Sequence, residues 1–154
     1  MCVKCLLTMA GAAVFACIPV GAKAGETPPF LSGGQFYGEN TLACDEAKSG
    51  AGEGEGLYMK GEGVFGTEWG CTFVDFLPIR YEQGGEISGY IAITSCGDDS
   101  GVSRPDMFEL HFYEDVITAT SQNDYVAASA KPYDDKEDPF SIGIINKQFA
   151  LCKK

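Results

Sequence analysis

Short apolar runs rich in Val, Ile, Phe, Tyr and Thr alternate with Gly-rich turns along most of the chain. This pattern is typical of β-strands. The clearest run covers residues 107–113, where successive side chains are expected to point to opposite faces of a strand. We therefore predict that Phe108, Leu110 and Phe112 face the core. The outward face would then carry Glu109, His111 and Tyr113.

Glycine-containing turns predict two hairpins. The first turn is Lys60-Gly61-Glu62-Gly63, and the second is Gly84-Gly85, between residues 79–83 and 86–96. On the longer of these strands Ile87, Ile91 and Ile93 share one face, and Gly89 on that face indicates a bulge or a close crossing. Further strands are predicted at residues 35–37, 71–77 (ended by Pro78), 115–120, 125–130 and 142–151.

Turn signals recur about every 8–12 residues, which is the spacing of an all-β barrel or sandwich. We predict a small antiparallel β-barrel or β-sandwich of roughly eight to ten short strands. At most one short helix is expected, near residues 41–48, with Thr41 as its cap. The predicted organisation is a flexible arm over residues 25–34, rich in Pro and Gly, and a single β domain over residues 35–154.

The first 24 residues are typical of a secretory signal peptide. Lys4 precedes a mostly apolar run from Leu6 to Val20, and Ala22-Lys23-Ala24 matches an A-x-A cleavage signal. The apolar run is shorter than the roughly 20 residues of a membrane-spanning helix, so no membrane span is expected. A lipid anchor at Cys17 is the competing interpretation, although Phe15 is bulky for a lipoprotein signal. The predicted location is the periplasm or the exterior of the cell.

Cleavage after Ala24 leaves four of the 7 cysteines, Cys44, Cys71, Cys96 and Cys152. An even number of cysteines in an exported protein predicts two disulfides. Three pairings are possible, and we favour Cys44–Cys71 with Cys96–Cys152. The wide spacing of these four cysteines and the absence of a C-x-x-C pair among them disfavour zinc.

The chain is acidic, with a formal net charge of −11 from 11 Lys and Arg against 22 Asp and Glu. Loss of Lys4 and Lys23 would leave 9 basic residues against the same 22 acidic ones, a net charge of −13. Nucleic acids and anionic membranes are polyanions, so neither is expected as a partner. A basic protein or peptide would be attracted at long range, and the oligomeric state stays open.

Several acidic pairs are candidates for catalysis or calcium binding. Glu53 and Glu55 have the i, i+2 spacing that places two carboxylates on one face of a strand. Asp98-Asp99 and the acidic residues 134–138 are oxygen-rich loops, but neither matches a calcium-loop pattern. A solvated Gly-rich edge is the favoured interpretation of Glu53 and Glu55, and solvated acidic turns are favoured for the two loops, so we predict no metal and no cofactor.

His111 is the only histidine in the chain. It could pair with Glu109 across i, i+2, and a surface position is favoured over a catalytic one. The chain has neither a G-x-S-x-G elbow nor a P-loop. We therefore predict that the protein is not an enzyme.

The most distinctive segment is residues 65–73, which holds the only Trp. Trp69 is expected to pack over the Cys71 disulfide, with Gly66 and Gly70 clearing space for its ring. The alternative is a ligand-stacking or partner-anchoring site. Candidate binding residues are Trp69, Tyr58 and Glu68, and Tyr81 is a further aromatic neighbour.

Residues 36–154 also carry a series of landmarks: Phe36-Tyr37-Gly38, Cys44, a Gly/Glu-rich hairpin before Leu57, Gly66-x-Glu68-x-x-Cys71-x-Phe73, Cys96 and Leu151-Cys152-Lys153. This series resembles small uncharacterised periplasmic β-proteins of proteobacteria. The resemblance implies a bacterial, exported, disulfide-containing β-fold and no known activity. More distantly, the layout is similar to that of periplasmic lysozyme inhibitors, although their inhibitory loop motif has no counterpart here.

Three functions remain open on these observations, besides a purely structural role in an envelope assembly. The leading hypothesis is an exported acidic binding module for a cationic protein partner. The second is a small β-barrel that holds an apolar ligand in a cavity lined by Phe, Ile and Tyr. The third is a carboxylate-dependent hydrolase that uses residues such as Glu53, Glu55 or Glu68.

Overall fold

The computed structural model describes residues 25–49, 56–80, 85–98, 100–131 and 143–153. Within these ranges it confirms the predicted small all-β fold, because eight strands form a closed antiparallel barrel in which β8 pairs with β1. The strands are β1 (Tyr37–Gly38), β2 (Tyr58–Lys60), β3 (Gly63–Phe65), β4 (Trp69–Arg80), β5 (Ile87–Asp98), β6 (Ser103–Tyr113), β7 (Val116–Ser121) and β8 (Lys147–Leu151). The helices are α1 (Thr41–Ser49), α2 (Gln122–Ser129) and a 3-10 turn (Pro29–Leu31).

The barrel interior is filled by apolar side chains from successive strands. Phe76, Ala92 and Phe108 lie at facing positions on β4, β5 and β6. The buried core also contains Tyr37, Met59, Val64, Leu110, Ile117, Ala119 and Phe149. Each large side chain buried in this way stabilises the fold by about 1.5–3 kcal/mol.

The alternation predicted for β6 is confirmed. Phe108 and Leu110 are buried in the core, whereas His111 is exposed on the outer wall. Phe112 faces the same way as Phe108 but lies at the barrel end, where it stays 39% exposed. The inward face of β6 therefore ends at the aromatic ring of Phe112, which another segment of the chain partly covers.

That covering segment is the stretch predicted as an N-terminal arm. Leu31 is 1% exposed, and the ring of Phe30 stacks on Phe112 with centroids 4.7 Å apart. The Tyr37 hydroxyl donates a hydrogen bond of 2.8 Å to the backbone carbonyl of Phe30. Residues 28–31 thus close one end of the barrel, which we call the capped end.

Strand β5 presents its isoleucines to the outside. Ala92 and Thr94 are buried inside the barrel, so Ile91 and Ile93 point outward and are only half-buried. The bulge or close crossing predicted at Gly89 is observed, because the β4–β5 register shifts beside it and a Cβ on Gly89 would lie 2.6 Å from the Leu110 carbonyl oxygen.

The hairpin predicted around Gly61-Glu62 joins β2 and β3. The turn predicted at Gly84-Gly85 includes residue 84, which lies outside the described residues, as do residues 81–83. The predicted end of a strand at Pro78 is wrong, because β4 continues to Arg80. Strand β3 pairs only with Gly70–Thr72, so among the described residues the later part of β4 has no β3 partner along that edge. Proline lacks a backbone N–H, and this loss costs little at an unpaired edge, so Pro78 does not end the strand.

The predicted strand over residues 125–130 is also wrong, and so is the limit of one helix, because α2 covers Gln122–Ser129. The cause is local: the Ser121 hydroxyl accepts a 3.0 Å hydrogen bond from the Asp124 backbone N–H and caps the helix. The predicted helix near 41–48 is present as α1. Its start is capped by the Asn40 side chain, which accepts from the Ala43 N–H at 2.9 Å, rather than by Thr41.

All four predicted cysteines form disulfides, but the predicted pairing is wrong. Cys44 is joined to Cys152, and Cys71 is joined to Cys96, so neither Cys44–Cys71 nor Cys96–Cys152 exists. Cys71 and Cys96 lie directly opposite each other on β4 and β5. Cys44 lies on α1, which packs on β1, and β1 pairs with the strand that ends just before Cys152. The register of the closed barrel therefore dictates both pairs.

Candidate functional site

A cleft of about 760 Å³ opens at the barrel end opposite the capped end, and we call it the mouth cleft. Its volume lies in the range of about 300–1,000 Å³ that is typical of ligand sites. β4 begins here, β5 ends, β6 begins and β7 leads into α2. Its apolar lining includes Leu57, Trp69, Val102, Phe108 and Ile144, and its polar lining includes Glu39, Asp98, Ser100, Arg104, Asp106, Ser121, Asn123, Asp124 and Lys147.

The Cys71–Cys96 disulfide lines the cleft between these two sets of side chains. Both cysteines occupy inward-facing positions, since their register continues that of Phe76 and Ala92 further down the barrel. Deeper in the barrel than the disulfide, the Thr94 hydroxyl donates a hydrogen bond of 3.0 Å to the Asp106 backbone carbonyl. The filled core therefore forms the base of the cleft.

Trp69 forms one wall of the cleft, opposite Asp98 in the β4–β5 register. Its side chain is 36% exposed. As predicted, Gly66 gives the indole room, because a Cβ there would lie 3.1 Å from Trp69 Nε1. Gly70 instead makes room for Phe65, whose ring would lie 2.7 Å from an added Cβ. The indole and the Cys71–Cys96 disulfide line the same cleft.

Asp106 joins the cleft wall to helix α2. Its buried carboxylate accepts hydrogen bonds from the Ser121 hydroxyl at 2.6 Å and from the Asn123 backbone N–H at 3.1 Å. It also accepts from the N–H of the following residue, Met107, at 2.7 Å. Three donors satisfy the charged form of a carboxylate well, so Asp106 fixes where α2 begins.

On the other side of the cleft, Asp124 joins helix α2 to the segment that precedes β8. Its Oδ2 accepts a 2.8 Å hydrogen bond from the Ile144 backbone N–H. A Cβ on the neighbouring Gly143 would lie 2.6 Å from the same oxygen, and Gly143 has φ +83°. The chain can pass this close to Asp124 because Gly143 has no side chain and adopts positive φ readily.

Asp98 and Arg104 form the more exposed rim of the cleft. Hydrogen bonds from the Ser100 hydroxyl and the Ser100 N–H hold the pKa of Asp98 below its ordinary value, and the nearby charge of Arg104 adds to this. Asp98 is therefore ionised at neutral pH. Across the cleft, Lys147 Nζ lies 2.9 Å from Glu39 Oε1 in an ion pair.

The formal charges of the cleft favour a cation. Its described lining contains four carboxylates, Glu39, Asp98, Asp106 and Asp124, against the two basic side chains Arg104 and Lys147. Within the described residues, no group of three His, Cys, Asp or Glu side chains could hold a metal ion. Asp99 and residues 134–138 of the two candidate calcium loops lie outside those residues.

The structure does not bring the three predicted binding residues together. Trp69 lines the cleft, whereas the exposed Glu68 is absent from its described lining. Tyr58 lies on the outer wall, with its ring 5.5 Å from that of Phe65. Burial and the negative charge of Glu46 raise the pKa of Tyr58. The binding roles of all three stay predictions, and Tyr81, Glu53 and Glu55 lie outside the described residues.

Sequence reasoning missed most of the polar cleft residues, although one signal was present. Asp106 precedes Phe108 by two positions, so the alternation of β6 already places it inward. Arg104 precedes Asp106 by two more positions and has the same orientation by the same rule. Asp124 and Lys147 carry no comparable signal, because they reach the cleft through contacts between distant segments.

Comparison with known proteins assigns the chain to no family: no family model matches it, and no curated protein or solved structure does either. The described part of the chain also includes no helix with the length and apolar character needed to cross a membrane.

Proposed function

We propose that this protein is an exported, non-enzymatic binding module whose mouth cleft accepts a positively charged group of a basic protein or peptide. The observation that carries the proposal is a ligand-sized cleft with four carboxylates, two basic groups and one indole wall. An indole face attracts a cation by about 0.5–2 kcal/mol, depending on desolvation. A lysine or arginine side chain satisfies both features at once.

The charge of the whole chain supports the same kind of partner. A formal net charge of −11 attracts cations over a distance of about one Debye length, which is roughly 8 Å at physiological salt. This long-range field raises the rate of encounter, whereas the cleft supplies specificity. The two disulfides accord with an oxidising compartment, and export to the periplasm or the cell exterior is part of the proposal. Membership of the small periplasmic β-proteins that the chain resembles is also part of the proposal.

Trp69 provides the direct test, because it is the only Trp in the chain. We expect its fluorescence to change saturably when an oligo-arginine peptide is added at low salt. Affinity should fall about tenfold or more as salt rises from about 0.05 M to about 0.5 M, since the attraction is screened. A titration that leaves the emission unchanged would contradict the proposal.

A matched pair of variants separates the cleft from the general field. Asp98→Asn removes one charge from the cleft rim, and Asp115→Asn removes one from the β6–β7 turn at the capped end. We expect Asp98→Asn to weaken peptide binding about threefold to tenfold and Asp115→Asn to change it by less than about twofold. Equal weakening by both variants would show that only net charge matters.

The closed eight-strand barrel is also compatible with a small-ligand-binding protein. The volume of the mouth cleft favours this second candidate, and Phe108 and Ile144 offer apolar surface. However, the described interior is filled, and the cleft lining combines apolar surface with charged side chains, so a ligand with a charged end fits better than a purely apolar one. Saturable binding of a long-chain alkylamine, but not of the matching alcohol, would favour this candidate over a protein partner.

The hydrogen bonding of two cleft carboxylates supports the proposed lack of enzymatic activity. Asp106 and Asp124 each use carboxylate oxygens to accept hydrogen bonds from the protein itself. A carboxylate committed to internal donors is a poor general acid or base. A carboxylate-dependent glycosidase would need two free carboxyl groups at about 5–9 Å across a cleft. Turnover of a glycan or peptide substrate that is abolished by Asp98→Asn would overturn this part of the proposal.

A further inference from the structure

Gly25 packs against strand β4 at the point where that strand bulges. Its backbone nitrogen donates a hydrogen bond to Oδ1 of Asp75, which also accepts from the Phe76 N–H at 2.8 Å. The register shift between Phe73 and Asp75 marks the bulge. The half-buried Asp75 carboxylate is thus directed at the chain nitrogen of a residue fifty positions earlier.

The fit around Gly25 is too close for any other residue. A Cβ added at position 25 would collide with the backbone carbonyl of Phe76 and would lie 3.0 Å from Asp75 Oδ1. The site therefore accepts a nitrogen attached to an unsubstituted Cα. It lies beside the part of β4 that extends beyond its pairing with β3.

We propose that Gly25 is the N-terminal residue of the mature protein and that the Asp75 carboxylate is the binding site for its α-ammonium group. The inference uses the export step of the proposed function but none of its ligand chemistry. The sequence signal Ala22-Lys23-Ala24 predicts cleavage after Ala24, directly before the residue that Asp75 contacts. The sequence predicts the peptide bond that is cleaved, and the structure places the nitrogen that this cleavage would free against the Asp75 carboxylate.

The cleavage converts a contact between a neutral amide and a carboxylate into an ion pair. A peptidase and one water molecule hydrolyse the Ala24–Gly25 peptide bond, so that Ala24 leaves with a carboxylate and Gly25 retains the nitrogen as an amine. An α-amine has an ordinary pKa of about 7.7–8.0, so it is mainly protonated at neutral pH. The amide donor of the precursor thereby becomes an ammonium facing a carboxylate, so the attraction between opposite charges is added to the hydrogen bond.

This ion pair would anchor the segment that closes the capped end. Residues 28–31 follow closely after Gly25, and Phe30 and Leu31 provide the apolar contacts of that closure. Docking of the ammonium on β4 fixes the other end of the same short segment. Maturation would then complete the packing of the barrel as well as remove the leader.

The first test uses the full chain with its own leader, expressed in a bacterial host that exports it. Intact mass and N-terminal sequencing of the exported protein should give a chain that begins at Gly25. A chain that begins elsewhere, or one lipidated at Cys17, would overturn the proposal. Neither result depends on whether the mouth cleft binds a cation, so failure here is distinct from failure of the proposed function.

The second test measures how fast the α-amine of the exported protein reacts with an acylating reagent at neutral pH, with the lysines as internal standards. Only the unprotonated amine reacts, and a neighbouring carboxylate favours the protonated form. Asp75→Asn should therefore speed acylation of Gly25 about tenfold, which corresponds to a shift of about one pKa unit. Asp115→Asn should leave the rate unchanged.

Equal rates in the wild type and in Asp75→Asn would show that Asp75 does not bind the ammonium, even if the variant melts earlier. Should Asp75→Asn fail to fold, the wild type can be compared with a chain that retains Ala24. That chain moves the ammonium one residue away from Asp75. We expect its α-amine to react about tenfold faster than that of the wild type and its Tm to fall by about 3 °C. Unchanged reactivity and Tm would overturn the proposal.

Discussion

His111 shows how single residues are positioned on the outer wall of the barrel. Its Nδ1 lies 3.0 Å from the Ser88 carbonyl oxygen, and its Nε2 lies 2.6 Å from Glu109 Oε1. Both partners are acceptors, so the ring satisfies both only when each nitrogen carries a proton. Gly89 makes room for the ring, because an added Cβ would lie 2.9 Å from Nδ1.

The first prediction concerns the pKa of this histidine. The hydrogen bond to Glu109 raises the pKa of His111 above its ordinary value of 6.5, although partial burial opposes the shift. As the only histidine, His111 gives a single imidazole signal in an NMR titration. We expect a midpoint above 6.5 in the wild type and a lower one in Glu109→Gln. A wild-type midpoint at or below the ordinary value would contradict this geometry.

The same shift fixes the sign of a small pH effect on stability. A raised folded-state pKa means that the pair stabilises the protein below the unfolded-state pKa and that this contribution is lost as pH rises through the folded-state pKa. Both side chains are about half exposed, so solvent screening keeps the contribution below about 1 kcal/mol. His111→Gln should therefore cost stability at acidic pH and little at alkaline pH, as measured by urea unfolding.

The second prediction concerns Asp106, which accepts three hydrogen bonds at the junction of β6, β7 and α2. Asp106→Ala leaves the Ser121 hydroxyl and the Asn123 N–H without this acceptor. We expect a loss of about 3 kcal/mol in the free energy of unfolding, measured with urea. Asp115→Ala, on an exposed turn, is the control and should cost less than about 0.5 kcal/mol. A loss below about 1 kcal/mol for Asp106→Ala would show that water replaces the carboxylate.

At the scale of secondary-structure elements, the sequence predicts correctly those features that depend on a few neighbouring residues. The alternation along β6 and the glycine turn between β2 and β3 were sufficient because each depends on a few neighbouring residues. Helix α2 was missed, although Ser121 and Asp124 form the S-x-x-D signal of a helix start. The aromatic and β-branched residues Tyr125 and Val126 suggested a strand, and the cap outweighed their propensity.

The disulfide pairing and the mouth cleft could not be predicted in this way. Both depend on how β8 closes on β1 and on the register of β4 against β5, which are contacts between distant parts of the chain. Four cysteines permit three pairings, and spacing alone does not choose among them. The cleft brings together Asp98, Asp124 and Lys147. The sequence does not predict this arrangement, because it also depends on contacts between distant parts of the chain.

The third prediction compares the two disulfides. The Cys44–Cys152 bond closes a loop of 108 residues and the Cys71–Cys96 bond one of 25. In the chain-entropy model these loops correspond to about 4.8 and about 3.5 kcal/mol of stabilisation. Replacing Cys44 and Cys152 by Ala should therefore lower the midpoint of urea unfolding more than replacing Cys71 and Cys96. The reverse order would show that packing at the buried Cys71 outweighs loop entropy.

At the scale of the whole molecule, the barrel has two unlike ends. The capped end is closed by apolar contacts of Phe30 and Leu31, whereas the opposite end carries the mouth cleft, with its charged side chains beside Trp69. The filled interior between them holds the two ends apart. The proposed charged partner would bind at the end that carries the cleft, away from the contacts of Phe30 and Leu31 that close the other end.

The central claim is that a cationic group binds in the mouth cleft, and NMR chemical-shift mapping tests it most directly. An isotope-labelled sample titrated with an oligo-arginine peptide should show its largest backbone amide shifts at the cleft, at Gly97, Ser100, Arg104, Asn123 and Ile144. The amides of Lys60, Gly61 and Glu62, around the turn between β2 and β3, should stay unchanged. Shifts spread evenly over the acidic surface, or largest at that turn, would contradict the account.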